Sequence, residues 1–304
     1  MPATDVHALR PSHGRLKLRS VGISGIRKPL TVQRAGRTEV LAVTFHVAVD
    51  LPSSRKGSDL SRNAEILAEI VDETVTRPVA SLENACSAIA LELLRRHDSA
   101  SEASVDASAE YFLRQGVTEA RRSFEDFTLL AEASAVRGEA GAVAVRRAVG
   151  AEAVGMTACP CAMETCRARL TEEFPLLADP RLAALPMISH NQRNRTRLVF
   201  ELDGHAEVEA DELIAAIGAA QSSPTYAILK RGDEAQVVLD AHRHPKFVED
   251  VLRDLLASLP DRFPQVPDAV AVRASTVSEE SIHKYNVEAS HRITLGELRR
   301  PAAA

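Results

Sequence analysis

Tryptophan is absent from the 304 residues, and only 3 tyrosines and 8 phenylalanines supply aromatic surface. So few rings offer no stacking platform for single-stranded nucleic acid. Long apolar runs are missing too: no window approaches the roughly 18 unbroken apolar residues of a membrane-spanning helix. The first 30 residues lack the apolar core of a secretory signal and carry His, Arg, Lys and Pro instead. A partly ordered N-terminal tail and a cytoplasmic protein are therefore expected. Nor is positive charge in excess: 37 Lys and Arg stand against 42 Asp and Glu, a net charge of −5. This argues against a general nucleic-acid binder, while local basic clusters can still hold a small anionic substrate.

What is present is the composition of an ordinary globular protein, 45% apolar and 26% charged, long enough to bury one or two cores. The four cysteines are unevenly placed. Cys86 stands alone, whereas Cys159, Cys161 and Cys166 crowd together. In a chain without secretory features such a cluster points to metal or thiol chemistry rather than to a disulfide framework.

Hydropathy periodicity divides the chain. Leu41, Val43, Phe45, Val47 and Val49 alternate with polar residues, which predicts a half-buried strand over 39–50. A polar loop over 51–61 leads to two helical patterns, one marked by Ile66, Leu67, Ile70, Val71 and Thr74, the other by Leu82, Cys86, Ile89 and Leu93. Strand-like alternation returns over 103–111, 127–131 and 142–149, and again over 196–202. Asp211 is the expected N-cap of a helix through Ala220. Residues 224–240 read as a connecting segment. Pro245 is expected at the first position of an amphipathic helix carrying Phe247, Val248, Val251, Leu252, Leu255, Leu256 and Leu259. Val270, Val272 and Ala274 predict a late strand. The order of strand, helix, helix and strands, loosely repeated, predicts an α+β protein of two related modules.

Five short motifs carry possible chemistry. Cys159-Pro160-Cys161 can aim a thiolate into a cleft, since soft or borderline metals bind sulfur. His190-Asn191-Gln192-Arg193 sets an imidazole among polar neighbours just before a strand. Leu229-Lys230-Arg231-Gly232-Asp233-Glu234 joins two cations to two carboxylates. Pro245-Lys246-Phe247-Val248-Glu249-Asp250 starts a helix, where carboxylates are favoured by the helix dipole. Glu280-Ser281-Ile282-His283 lies near the C-terminus. Each has a bland reading when taken alone: a junction of small residues, a structural histidine, a solvated turn, a simple helix start. Cys86, on an apolar helix face, reads as core.

Together and in this order, the five motifs resemble the type IB GTP cyclohydrolases of bacteria and archaea, over roughly residues 35–290. Gly57–Arg62 and Ala80–Glu83 are similar as well. The resemblance implies two tandem tunnelling-fold modules, each an antiparallel sheet backed by two helices, in a homotetramer with active sites between subunits. The expected layout is a tail over 1–34, a first module over 35–158 and a second over 159–304. The implied reaction opens the imidazole ring of GTP, releases C8 as formate and yields 7,8-dihydroneopterin triphosphate for folate and pterin synthesis. The archaeal alternative is the 2′,3′-cyclic phosphate.

Carried over by position, Cys159 is the metal thiolate, and His190 and Glu234 stand on or near the metal. These three and His283 form the catalytic set, and Glu249 is the purine anchor. One divalent metal per site is implied, Fe(II), Mn(II) or Zn(II). Arg62, Arg193 and Lys230, with Arg55 and Lys56, are candidates for the triphosphate. Two positions depart from the family pattern: Asp59 and Tyr285 stand where the family has histidines. Residues 174–186 are inserted between Cys159 and His190.

Overall fold

The computed structural model describes residues 5–11, 16–34, 37–117, 122–138, 141–202, 204 and 206–300. The chain divides into two compact units. One comprises 1–110, 129–149 and 201–205; the other comprises 111–128, 150–200 and 206–304.

In the first unit, strands β1 (Leu18–Arg34) and β2 (Arg37–Leu51) pair antiparallel. Their register shifts between Ile23 and Ile26, where Gly25 adopts φ 75°. A bulge of this kind needs a left-handed residue, and glycine takes it without a Cβ clash. Strand β3 (Glu102–Gln115) joins the other edge of β2. Val43, Phe45, Val47 and Val49 of β2 are buried opposite Ala109, Ala107, Val105 and Ala103 of β3. Val43, Phe45 and Val49 thus each meet an alanine on the next strand. Helices α1 (Leu60–Thr76) and α2 (Leu82–Arg96) complete this core with Ile66, Leu67, Val71, Ile89, Leu93 and Leu94. Ser81 caps α2 by accepting the Asn84 N–H at 3.3 Å. Cys86 is wholly buried in this core. Burial, with the charges of Glu83 and Asp106 behind it, pushes its thiol far up, which suits a core residue and not a reactive one.

Asp50 closes the end of β2. Burial works against its charged form, but the Lys17 ammonium, the Ser101 hydroxyl and the N–H groups of Glu102 and Ser101 outweigh it and hold the carboxyl below its usual range.

Strand β1 corrects the expectation of a tail up to residue 34. Its interleaved Arg, Lys, Ser and Gly residues hide the strand in sequence. Leu30 and Val32 are nonetheless buried, and Thr31 and Gln33 exchange backbone hydrogen bonds with Val79 at 3.1 and 2.7 Å.

The second unit holds parts of β3 and of strands β4 (Ser123–Arg137), β5 (Val143–Ala158) and β6 (Asn191–Leu202), together with β7 (Ser223–Pro224), β8 (Ala271–Ser278) and β9 (Val287–Thr294). Within this unit, among the described residues, the strand order is β3-β4-β5-β6-β8-β9, with β7 on β5. Helices α4 (Ala210–Ala220) and α6 (Val248–Arg262) bury Leu213, Ile217, Val251, Leu255 and Leu259. The Phe200 and Phe263 rings meet at 4.9 Å.

Three local expectations change here. Helix α4 is capped by Glu209. Asp211 lies in its first turn and accepts the Tyr111 hydroxyl at 2.7 Å. Pro245 stands outside α6: the Lys246 N–H binds the Ala158 carbonyl at 3.1 Å, which keeps the chain extended until Phe247 caps the helix. The segment read as a connection contains helix α5 (Arg231–Arg243), and the insertion is preceded by helix α3 (Pro160–Glu173) and forms two 3-10 turns, Pro175–Ala178 and Pro180–Leu182. Both helices lack an apolar stripe, burying only Asp233, Val237 and Ala241 in α5 and Met163 in α3, so periodicity could not reveal them. A short helix α7 (Leu295–Leu298) follows β9.

Candidate active site

The site grows from the end of β5. The strand stops at Ala158, Cys159 caps α3, and Pro160 takes the first helical position, where its missing N–H costs nothing. The Cys159 sulfur accepts the Ala162 N–H at 3.5 Å. It therefore sits at the positive end of the helix dipole, which favours a negatively charged ligand atom. The Cys159 N–H binds the His190 carbonyl at 3.1 Å, and the Ser189 hydroxyl donates to the Cys159 carbonyl at 2.6 Å. These bonds bring the two motifs together across thirty residues of intervening chain.

Cys159, His190, Glu249 and His283 line one cavity of about 220 Å³ within the second unit. His190 is largely buried, its Nδ1 lying 2.8 Å from Gln192 Oε1 and 3.8 Å from Glu280 Oε2. Glu249 is exposed in the first turn of α6. At the rim, the His283 ring stacks on Tyr285 with centroids 5.0 Å apart and planes 9° from parallel. Tyr285 therefore contributes a stacked ring where the family pattern has a second imidazole. Lys246 closes the inner wall. Its ammonium donates to the Ala220 carbonyl at 2.8 Å and pairs with Asp254 at 2.7 Å. A larger cavity of about 580 Å³ shares Lys246 but contains none of Cys159, His190, Glu249 and His283. Size alone therefore does not locate the chemistry.

Other expected residues stand elsewhere. Glu234 is exposed in the first turn of α5, Lys230 caps that helix, and Arg193 points away from the buried face of β6. None of the three lines the cavity. In the first unit, Arg62 and Arg55 lie 3.4 and 3.6 Å from Asp59. The carboxylate at the position of a family histidine thus partly neutralises two of the phosphate candidates. Lys56 is exposed beside them.

The sequence motifs contained Gln192, Lys246 and Glu280 without revealing their places in the cavity, and Ser278 lay outside every motif. One signal was available. Gln192, Asn194 and Thr196 occupy the alternate positions of β6 that Leu198, Phe200 and Leu202 continue as core. A polar run on a buried face calls for hydrogen-bond partners.

Cys159 and His190 are a thiolate and an imidazole on one cavity wall, a donor pair that suits zinc, iron or manganese. With Nδ1 of His190 engaged, Nε2 is the nitrogen left to bind. Among the described residues, however, no three His, Cys, Asp or Glu side chains come together as a metal cluster. The donor chemistry fits two of the three expected ligands, and Glu234 does not join them within this chain.

Antiparallel ladders with pairs of helices packed on them define an α+β protein of the tunnelling-fold class. Its fold is similar to that of the uricases from Arthrobacter globiformis (TM-score 0.52, 10% identity, 94% of this chain and 95% of that one) and Bacillus fastidious (TM-score 0.51, 11% identity, 94% and 96%). Residues 3–289 match the family described as type I GTP cyclohydrolase folE2. Similar relatives include the GTP cyclohydrolase MptA of Methanosarcina acetivorans, 38% identical over 97% of this chain and 96% of the relative. The protein of the same description from Methanococcoides burtonii is 37% identical over 97% and 95%. The chain belongs to the type I GTP cyclohydrolase folE2 family.

Proposed function

We propose that this protein is a GTP cyclohydrolase of the type IB kind within that family, acting in the cytoplasm on free GTP. The carrying observation is that Cys159, His190, Glu249 and His283, drawn from four separate motifs, line one cavity. Family membership supports the reaction, and the chemistry of these residues supports their roles.

Glu249 is read as the guanine anchor. A carboxylate accepts two parallel N–H bonds from N1 and the 2-amino group, which orients the purine. Cys159 and His190 would hold a divalent metal, with Glu234 as the third ligand once α5 of this or a second copy is brought to the cavity. When bound, the metal supplies a Lewis acid that makes water a nucleophile near neutral pH. His283 and Glu280, which both line the cavity, are read as the groups that carry protons as C8 is attacked, its two C–N bonds break and it leaves as formate. Lys246 holds the turn that presents Glu249, through its bonds to Ala220 and Asp254.

The cavity of about 220 Å³ is small beside the roughly 300–1,000 Å³ of ordinary ligand pockets. Lys230 and Arg193 also lie outside it. Both observations support a homo-oligomer, a tetramer in this reading, in which neighbouring copies complete the wall and supply cations to the triphosphate.

The product in this reading is 7,8-dihydroneopterin triphosphate. The 2′,3′-cyclic phosphate is the second reading. Anaerobic incubation with GTP and Fe(II), Mn(II) or Zn(II) in turn, scored for formate and pterin fluorescence, tests the activity. Product mass distinguishes triphosphate from cyclic phosphate. Absence of formate with every metal would overturn the proposal.

A further inference from the structure

Gln192 is buried between two neighbouring strands, and its hydrogen bonds converge on the site. Strand β6 lies between β5 and β8. From β6, the Gln192 side-chain nitrogen reaches the Thr157 hydroxyl of β5 at 3.1 Å and the Ser278 hydroxyl of β8 at 3.2 Å. Thr157 and Ser278 are 1% and 2% exposed, and Gln192 itself is 8% exposed. An amide has two N–H donors and one carbonyl acceptor. With both donors facing hydroxyls, the carbonyl faces His190 Nδ1 at 2.8 Å. Exchanging the amide ends would also satisfy the two hydroxyls, because each can donate. Glu280 breaks that tie. Its carboxylate lies 3.8 Å from the same Nδ1, and negative charge there favours the proton on Nδ1. A neutral imidazole with Nδ1–H presents its lone pair at Nε2.

We propose that Gln192 is a positioning residue. Braced on β5 and β8, it holds the His190 ring in one plane with Nδ1 as the donor, so that Nε2 alone is offered to the metal. The proposal rests on the reading of Cys159 and His190 as metal ligands. It adds a partner to the imidazole of the kind that tunes metal sites, where loss commonly costs about 10–100-fold in affinity.

The test uses the full chain stripped of metal and titrated with Co(II). The near-ultraviolet thiolate-to-cobalt band reports Cys159, and the visible bands report coordination geometry. Gln192→Leu removes the acceptor at similar volume and should weaken Co(II) binding about 10–100-fold, with altered visible bands and the thiolate band retained at saturation. Gln192→Met, closer in length, carries the same expectation if the leucine variant does not fold. Gln192→Glu restores an acceptor oxygen and should bind within about threefold of wild type, whereas Gln192→Met, of similar length but without that oxygen, should not, a contrast that a packing role would not produce. Wild-type Co(II) affinity in a folded Gln192→Leu or Gln192→Met variant would overturn the proposal, even if its melting temperature falls. Cys159→Ala keeps the two levels apart. If it binds Co(II) like wild type, with the thiolate band intact, the metal reading itself fails whatever Gln192 does.

Discussion

Placing a methyl group on Gly155 tests how tightly the site's foundation is built. Gly155 lies on β5, four residues before Cys159, and pairs with Pro224 of β7. A Cβ there would lie 2.3, 2.8 and 2.9 Å from Cγ, Cδ and Cβ of Gln221. Gln221 has little room to retreat. It is 5% exposed, accepts the Asn194 amide at 3.0 Å and donates to Thr196 at 2.9 Å. If the side chain stays, overpacking costs about 1–3 kcal/mol. If it swings away, two buried hydrogen bonds are lost at about 1–3 kcal/mol each. The side chain takes the cheaper route, so Gly155→Ala should destabilise the protein by about 1–3 kcal/mol, read as a lower urea midpoint at unchanged slope. Shortening the obstacle in Gly155→Ala/Gln221→Ala should leave the double variant more stable than the sum of the single effects by about 1 kcal/mol or more. A Gly155→Ala variant within about 0.5 kcal/mol of wild type, or strictly additive energies, would refute the reasoning.

Two further outcomes follow from the same geometry. Glu249→Gln should weaken GTP binding to the metal-stripped protein by about 10–100-fold, the loss of a charged bidentate acceptor, while metal uptake on reloading stays at the wild-type level. Equilibrium dialysis that finds normal GTP binding and lost metal would make Glu249 a ligand instead. In the first unit, His97 is 5% exposed with Nε2 2.8 Å from Asn63 Oδ1, and burial first, then the Arg62 charge, holds its pKa below the ordinary 6.5. Between its lowered folded pKa and 6.5 the unfolded chain binds a proton that the native state refuses, so stability falls as pH drops through that window and is flat above it. Urea midpoints from about pH 7.5 to 5.5 should show this slope, and His97→Gln should flatten it; equal slopes in the two proteins would contradict the assignment.

Periodicity carried the sequence reading wherever a single face meets the core. The alternation of β2 and the apolar stripes of α1, α2 and α6 were legible because burial on one side leaves a period in the residues. Cys159, His190, Glu249 and His283 were also legible, as members of ordered motifs, and the fold brings all four to one cavity. Helices α3 and α5 were not, because neither buries an apolar stripe and their charged residues look like a loop. Gln192 and Asn194 stood before the strand expected from 196, yet β6 includes them, and Gln192, Asn194 and Thr196 are buried with partners from Thr157, Gln221, Thr276 and Ser278. Motif membership likewise could not tell that Glu234, Lys230 and Arg193 lie outside the cavity while Glu280 and Lys246 lie within reach of its chemistry. Residue type and spacing determine which faces seek the core and which side chains can bind a metal or a purine. Only the tertiary structure decides which loops converge, because hydrogen bonds such as Cys159 to His190 and Gln192 to Ser278 join residues far apart in the chain and leave no period in the sequence between them.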